Sequence, residues 1–224
     1  MIQKITTILF TIFTSLMCSA QFKEVKIGDI LQVNGAKGIV FNVNEDGTHG
    51  QMMSVKAFRA RKNLFCIKSS YLKRLSMTSE TDGKQNTANL FSYCSANGIP
   101  LTAFPVFDWC RNLGEGWYIP SVLQLKTFVN YWLGNTNVEV IWDEDEEEFE
   151  KNIDDSLPHT KLVNEKLLNA GGIPFLNGVF SSTIDKNKKV DVFEYKKEDG
   201  KWSFKKVNPM KIDAFCVGRA FYDF

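Results

Sequence analysis

The chain has 224 residues, 44% of them apolar, with 27 basic side chains against 26 acidic ones. That balance provides no basic footprint for nucleic acid or an anionic membrane surface. The length suits one α+β domain with a sizeable core.

Met1–Ala20 carries a single charge, Lys4. The apolar stretch Ile5–Phe13 follows, and the segment ends in Cys18-Ser19-Ala20. This is the pattern of a secretory signal, with cleavage expected between Ala20 and Gln21. Thr6, Thr7, Thr11, Thr14 and Ser15 dilute the run below the roughly 20 apolar residues that a spanning helix needs. Met17 stands where lipidation of Cys18 would want a small residue, which argues against a lipid anchor there. Cleavage removes one lysine and leaves a formally neutral mature chain, 26 basic against 26 acidic residues. The sequence therefore predicts two parts, a signal peptide over 1–20 and one exported domain over 21–224, located in the periplasm, at the cell surface or in the medium. No later segment reaches spanning length.

Glu24–Ile27, Gly38–Val43 and Gln51–Val55 read as strands. The Asp46-Gly47 step between the last two supplies the positive φ of a hairpin turn. Residues 58–74 mix basic and apolar side chains without a clear period. Asn86–Cys94 reads as a helix that stops at Asn97-Gly98, and Ala103–Leu113 as another that ends at Gly114. Trp117–Ser121 is a short extended piece, broken by Pro120. Ser121 then caps a helix over Val122–Leu133 with Leu125, Phe128, Val129 and Trp132 at helical spacing, a core stripe rather than a ligand platform.

Val138–Trp142 looks strand-like and precedes the acidic run Asp143–Glu148. A calcium loop would alternate oxygen ligands around a fixed glycine, and this run does not, so it reads as a solvated loop or helix start. Leu162–Asn169 reads as a short helix closed by Gly171-Gly172. Val179–Thr183, Val190–Tyr195 and Trp202–Val207 follow as strands, the last two forming a hairpin around Asp199-Gly200. Ala214–Phe221 reads as a buried final strand.

Four cysteines remain after processing: Cys66, Cys94, Cys110 and Cys216. An even count in an oxidising compartment points to two disulfides, with three connectivities open.

An ordered series of motifs runs through the chain. It comprises Asp82–Thr87, Cys110, Gly116–Ser121 with Leu125, Gly171-Gly172, Phe180–Thr183 and Cys216–Phe221. It resembles the exported bacterial domains of the Lcl C-terminal (collagen-like adhesin) family, domains of unknown function related to the C-type lectin-like fold. The resemblance spans most of residues 36 to 222. Such domains usually carry Glu where this chain has Gln124, and Tyr-Trp where it has Val179-Phe180. The resemblance implies an α+β, C-type lectin-like fold of short helices on small antiparallel sheets and hairpins. It also implies a Cys110–Cys216 bridge, which leaves Cys66 and Cys94 to each other. A bridge closing a loop that long contributes about 4 to 5 kcal/mol in the chain-entropy account.

The two histidines, His49 and His159, sit in no nucleophile motif, and the cysteines are better suited to bridges than to zinc. No Gly-rich phosphate loop is present. The calcium-site triplets of sugar-binding C-type lectins do not occur, and no cysteine pair matches the copper and thiol site of the formylglycine-generating oxidases. No catalytic residue, metal or cofactor is expected. The predicted function is an exported, non-enzymatic, adhesin-like binding module for an extracellular glycan or protein. Two alternatives stand beside it: an extracytoplasmic enzyme using acids of the 143–155 region or free thiols, and a structural subunit of a surface assembly.

Overall fold

A computed structural model describes residues 24–60, 62, 64–134, 148–149, 153–175, 178–196, 201–212 and 216–224. The expected signal peptide and its Ala20/Gln21 junction, Cys18, the strand over Val138–Trp142, Asp143–Glu147 and the Asp199-Gly200 turn lie outside them.

The chain first builds a meander. Strand β1 (Ile30–Val33) turns through Asn34 and Gly35 into β2 (Ala36–Val43), and β3 (Gly50–Ser54) returns antiparallel with Met53 opposite Ile39. Asn34 and Gly35 have φ of 53° and 85°, the left-handed pair of a two-residue turn whose twist matches its strands. The strand expected at Glu24–Ile27 is not one. Gly28 has φ of 87°, Asp29 N–H returns to the Lys26 carbonyl, and the strand begins only at Ile30. The second turn holds as expected: the Asp46 carboxylate accepts from Thr48 N–H at 2.8 Å, and Gly47 takes φ of 70°.

Helices follow. After the single turn α1 (Ser69–Leu72), α2 (Gly83–Ala96) starts three residues earlier than the sequence predicted, because the Asp82 side chain accepts from Gln85 N–H. A 3-10 turn at Leu101–Ala103 leads into α3 (Pro105–Arg111). Helix α4 (Val122–Trp132) carries the expected Ser121 cap, elaborated into a capping box with Gln124. Leu125, Phe128, Val129 and Trp132 are all buried.

Helix α5 (Ile153–Asn169) begins nine residues before the expected start and accommodates Pro158. Two further hairpin partners precede and follow it. Strand β4 (Glu148–Phe149) pairs with β7 (Lys201–Val207), which pairs with β6 (Val190–Lys196), which pairs with β5 (Val179–Ile184). The β6–β7 register sets Val192 opposite Lys205 and Phe193 opposite Phe204, the antiparallel hairpin that the alternation predicts. A second 3-10 turn lies at Pro209–Lys211.

The architecture is α+β: two four-stranded antiparallel sheets, β1-β2-β3-β8 and β4-β7-β6-β5, with several short helices. The C-terminal segment joins them. Val217 bridges Val179 of β5, Gly218 bridges Phe58, and β8 (Phe221–Asp223) completes the first sheet against β3. Of the Ala214–Phe221 run predicted as the final strand, Ala214 and Phe215 lie outside the described residues, Val217 and Gly218 contribute isolated bridges, and Phe221 alone falls in β8. Apolar side chains fill two clusters. One gathers Phe65, Phe104, Phe107 and Trp117; the other sets Phe128 against Phe175 at 4.7 Å and Phe41 at 5.3 Å between ring centres. Each such buried side chain contributes about 1.5 to 3 kcal/mol.

The Ser181–Thr183 motif sits inside β5 rather than at a strand end, and it stitches the helices to the sheet. Ser182 N–H donates to the Pro120 carbonyl, Thr183 Oγ1 accepts from Val122 N–H at 3.0 Å, and Asn86 donates to Ser182 Oγ at 3.2 Å. The buried Thr183 hydroxyl thereby satisfies one orphan donor, Val122 N–H, at the start of α4.

Candidate functional site: a polar cleft beside the first hairpin

Four segments far apart in sequence enclose a cleft of about 480 Å³. They are the β1–β2 hairpin (Gln32, Asn34, Gly35, Ala36, Lys37), the end of β3 (Ser54, Val55, Lys56), the end of α3 (Asn112, Leu113) and the end of α5 (Ala170, Gly171). The size falls within the range of small-ligand sites.

The hairpin is held in place as a wall. Asn34 Nδ2 donates to the Glu115 carbonyl at 2.7 Å, and Gly114, at φ 124°, lets Asn34 pack so closely that a Cβ there would stand 2.6 Å from Asn34 Cβ. Opposite, helix α5 ends on Gly171 at φ 85°, a left-handed cap. A Cβ on Gly171 or Gly35 would meet nothing within 4 Å, as befits residues facing open space.

Behind the β3 wall lies Arg219, wholly buried. One guanidinium nitrogen donates to the Ser54 and Val55 carbonyls at 2.9 and 2.8 Å, and the other to the Ile173 and Pro174 carbonyls, both at 2.8 Å. Its Nε has no partner, and no carboxylate pairs with it among the described residues. Burial, with Arg59 adding like charge, pushes its pKa down to about 9, so it stays charged at neutral pH.

A second polar group lies at the β8 edge of the first sheet, the edge opposite β1. Tyr118 Oη donates to Asp223, and Gln124 Nε2 donates to Tyr118 Oη at 3.0 Å. Gln124 Oε1 accepts from Gly83 N–H at 2.9 Å and Ser121 N–H at 3.0 Å, joining the starts of α2 and α4. Burial, then the Asp223 carboxylate, pushes the Tyr118 phenol well above its usual range, so it is a neutral donor at physiological pH.

The cysteines all stand as buried thiols, so neither expected bridge is closed in this structure. Burial raises the pKa of Cys66, Cys94 and Cys110, and all three belong to one buried apolar cluster. Cys66 Sγ donates to the Lys68 carbonyl. Thiols held protonated in this way are poor nucleophiles.

His49 sits in the β2–β3 turn, where its backbone, not its ring, makes the turn's hydrogen bonds with Asn44. His159 contacts the Trp132 carbonyl at 3.2 Å through Nδ1 and the Tyr131 ring edge-on. The structure does not bring the two histidines together on one element. Of the acidic run, Glu148 falls in β4. Among the described residues no three His, Cys, Asp or Glu side chains gather as metal ligands, and no helix is long and apolar enough to cross a membrane.

Sequence reasoning missed every polar residue of the cleft. Only Asn34-Gly35 carried a local signal, since that dipeptide is a strong hairpin turn. Arg219 lay inside a motif that drew attention for its resemblance, but nothing in its neighbours announces burial. Compared with family models, curated proteins and solved structures, the chain finds no match.

Proposed function

We propose that the chain is an exported, non-enzymatic binding module with a C-type lectin-like fold, and that the cleft beside the first hairpin receives its extracellular ligand. The observation that carries this reading is the cleft itself. It brings three carboxamides, Gln32, Asn34 and Asn112, around about 480 Å³ of open space on rigid element ends. Carboxamides both donate and accept, the chemistry suited to hydroxyls and amides of a glycan or a protein.

The fold part of the reading is supported by the motif series over residues 36 to 222 and by an α+β arrangement in which the C-terminal segment joins two small sheets. Raised pKa values at Cys66, Cys94 and Cys110 weigh against a thiol enzyme. Export also entails two disulfides; the family resemblance pairs Cys110 with Cys216 and leaves Cys66 to Cys94. Thiol titration of the secreted protein under denaturing, non-reducing conditions then finds no free thiol; four free thiols contradict the export reading.

The binding reading is tested on glycan and extracellular-matrix arrays with the mature protein beside Gln32→Leu and Asn112→Leu. Both side chains are exposed, so the variants retain the fold. Saturable binding that falls at least tenfold in the variants is the expected result. Null arrays together with hydrolytic or redox turnover contradict it.

A further inference from the structure

We propose that the cleft takes a small organic anion, a carboxylate or phosphate monoester bearing hydroxyl groups, with its charge set between Lys37 and Lys56. This deepens the binding reading above and rests on it.

Two independent observations carry it. The first is the lining. Among the described residues the cleft's ionisable side chains are Lys37 and Lys56, and none is acidic. Both lysines are exposed, and neither ammonium group has an ion-pair or hydrogen-bond partner among the described residues. The carboxamides of Gln32 and Asn112 are likewise uncommitted, and Asn34 keeps its carbonyl oxygen free while its amide holds Glu115. A neutral ligand would leave both ammonium groups unpaired, and a cation would be repelled.

The second observation is the wall. Arg219 places a full positive charge directly behind Ser54 and Val55, neutralised by no carboxylate among the described residues, with Arg59 near enough to add to its field. A cation buried without a counter-ion projects a positive potential into the adjoining cleft, where low-dielectric walls concentrate it. The guanidinium is locked by four carbonyls and stays put, so the mobile lysines supply the contact and the arginine supplies the field.

Size selects the ligand class. About 480 Å³ fits a small molecule. A long polyanion wants an extended basic track, and the chain as a whole has 27 basic against 26 acidic residues.

The test titrates the mature protein with citrate, for the carboxylate source, and with glycerol 3-phosphate, for the phosphate source. Glycerol and a panel of neutral oligosaccharides serve as uncharged controls. Amide shifts locate the contact, and calorimetry measures affinity. Saturable shifts at Asn34, Gly35, Lys37, Lys56 and Gly171 with one or both anions are expected, weakening at least tenfold in Lys37→Gln/Lys56→Gln and several-fold on raising salt. Which anion binds more tightly identifies the source. A cleft that binds neutral oligosaccharides with unchanged affinity in the double variant overturns the anion proposal but leaves the binding reading standing. Absence of saturable shifts with both anions, or shifts equal in wild type and double variant, overturns the anion proposal. If the neutral panel is also silent at the cleft, the binding reading falls with it.

Discussion

The Tyr118 hydroxyl donates to the Asp223 carboxylate at 2.5 Å, across 105 positions of sequence. Through that bond the extended piece before α4 is fastened to the last strand, beside the backbone bridge from Tyr118 to Phe221. Tyr118→Phe keeps the ring in the core and removes the oxygen. It also leaves Gln124 Nε2 without its acceptor. The expected cost is about 1 to 3 kcal/mol, since one hydrogen bond to a charged group is lost and one half-buried donor is stranded, while Gln51 Nε2 keeps its bond to Asp223. Urea unfolding of the variant, read by fluorescence, measures it.

Gly83→Ala inverts the usual rule for helices. Alanine in place of glycine normally stabilises a helix by about 0.5 to 1 kcal/mol. At position 83 a Cβ would lie 2.4 Å from the Ile119 carbonyl oxygen and 2.5 Å from Ser121 N, backbone atoms that cannot swing aside. The substitution therefore forces α2 away from α4 and weakens both bonds to Gln124 Oε1. Thermal melting shows a lower midpoint for Gly83→Ala, while Ala substituted at the exposed Lys84, one position on, leaves it nearly unchanged.

Arg219→Met removes a buried charge and four donated hydrogen bonds at once. The apolar stem is replaced in kind, yet the carbonyls of Ser54, Val55, Ile173 and Pro174 lose their shared donor. Stranded carbonyls dominate that balance, and the expected loss exceeds about 3 kcal/mol. Chemical denaturation gives the value; a neutral or stabilising result shows instead that the burial cost of the charge is the larger quantity.

Alkaline pH destabilises this fold for a definite reason. Tyr118 and Tyr131 both have pKa values raised by burial, Tyr131 to about 12. Each binds its proton more tightly when folded. Their stabilising contribution is complete below the unfolded phenol value of about 10. It declines as pH climbs above that, because the unfolded chain then holds fewer protons than the native one. Arg219, depressed to about 9, works in the opposite sense above that pH, but it is one group against two. Unfolding free energy measured from pH 6 to 11 shows no fall up to about pH 10 and falls beyond it.

Local signals served the sequence reading well where one residue type determines the geometry. Asp46-Gly47 marked its turn, Ser121 marked its cap, and the Leu125, Phe128, Val129, Trp132 stripe marked its helix and its burial. Alternation misled at Glu24–Ile27, where Gly28 and the Lys26–Asp29 turn interrupt pairing, while Ile30–Val33 was passed over despite the Asn34-Gly35 step that follows it. Pro158 and the acids before it hid the first turns of α5. The cleft was illegible for another reason. Its residues come from positions 32 to 37, 54 to 56, 112 to 113 and 170 to 171, with no spacing or motif to connect them. Tertiary contacts bring those segments together: Gly114 packs against Asn34, whose amide holds the Glu115 carbonyl, Gly172 packs against Val55, and Arg219 ties the carbonyls of Ser54 and Val55 to those of Ile173 and Pro174.

If the cleft beside the first hairpin receives the ligand, a cleft variant and a remote variant differ in affinity. A ligand captured on the arrays is titrated calorimetrically against wild type, Asn112→Leu in the cleft, and Leu123→Ser on the exposed face of α4. A loss of at least tenfold in Asn112→Leu and none in Leu123→Ser is the expected result. Equal affinity in wild type and Asn112→Leu rules the cleft out as the binding site.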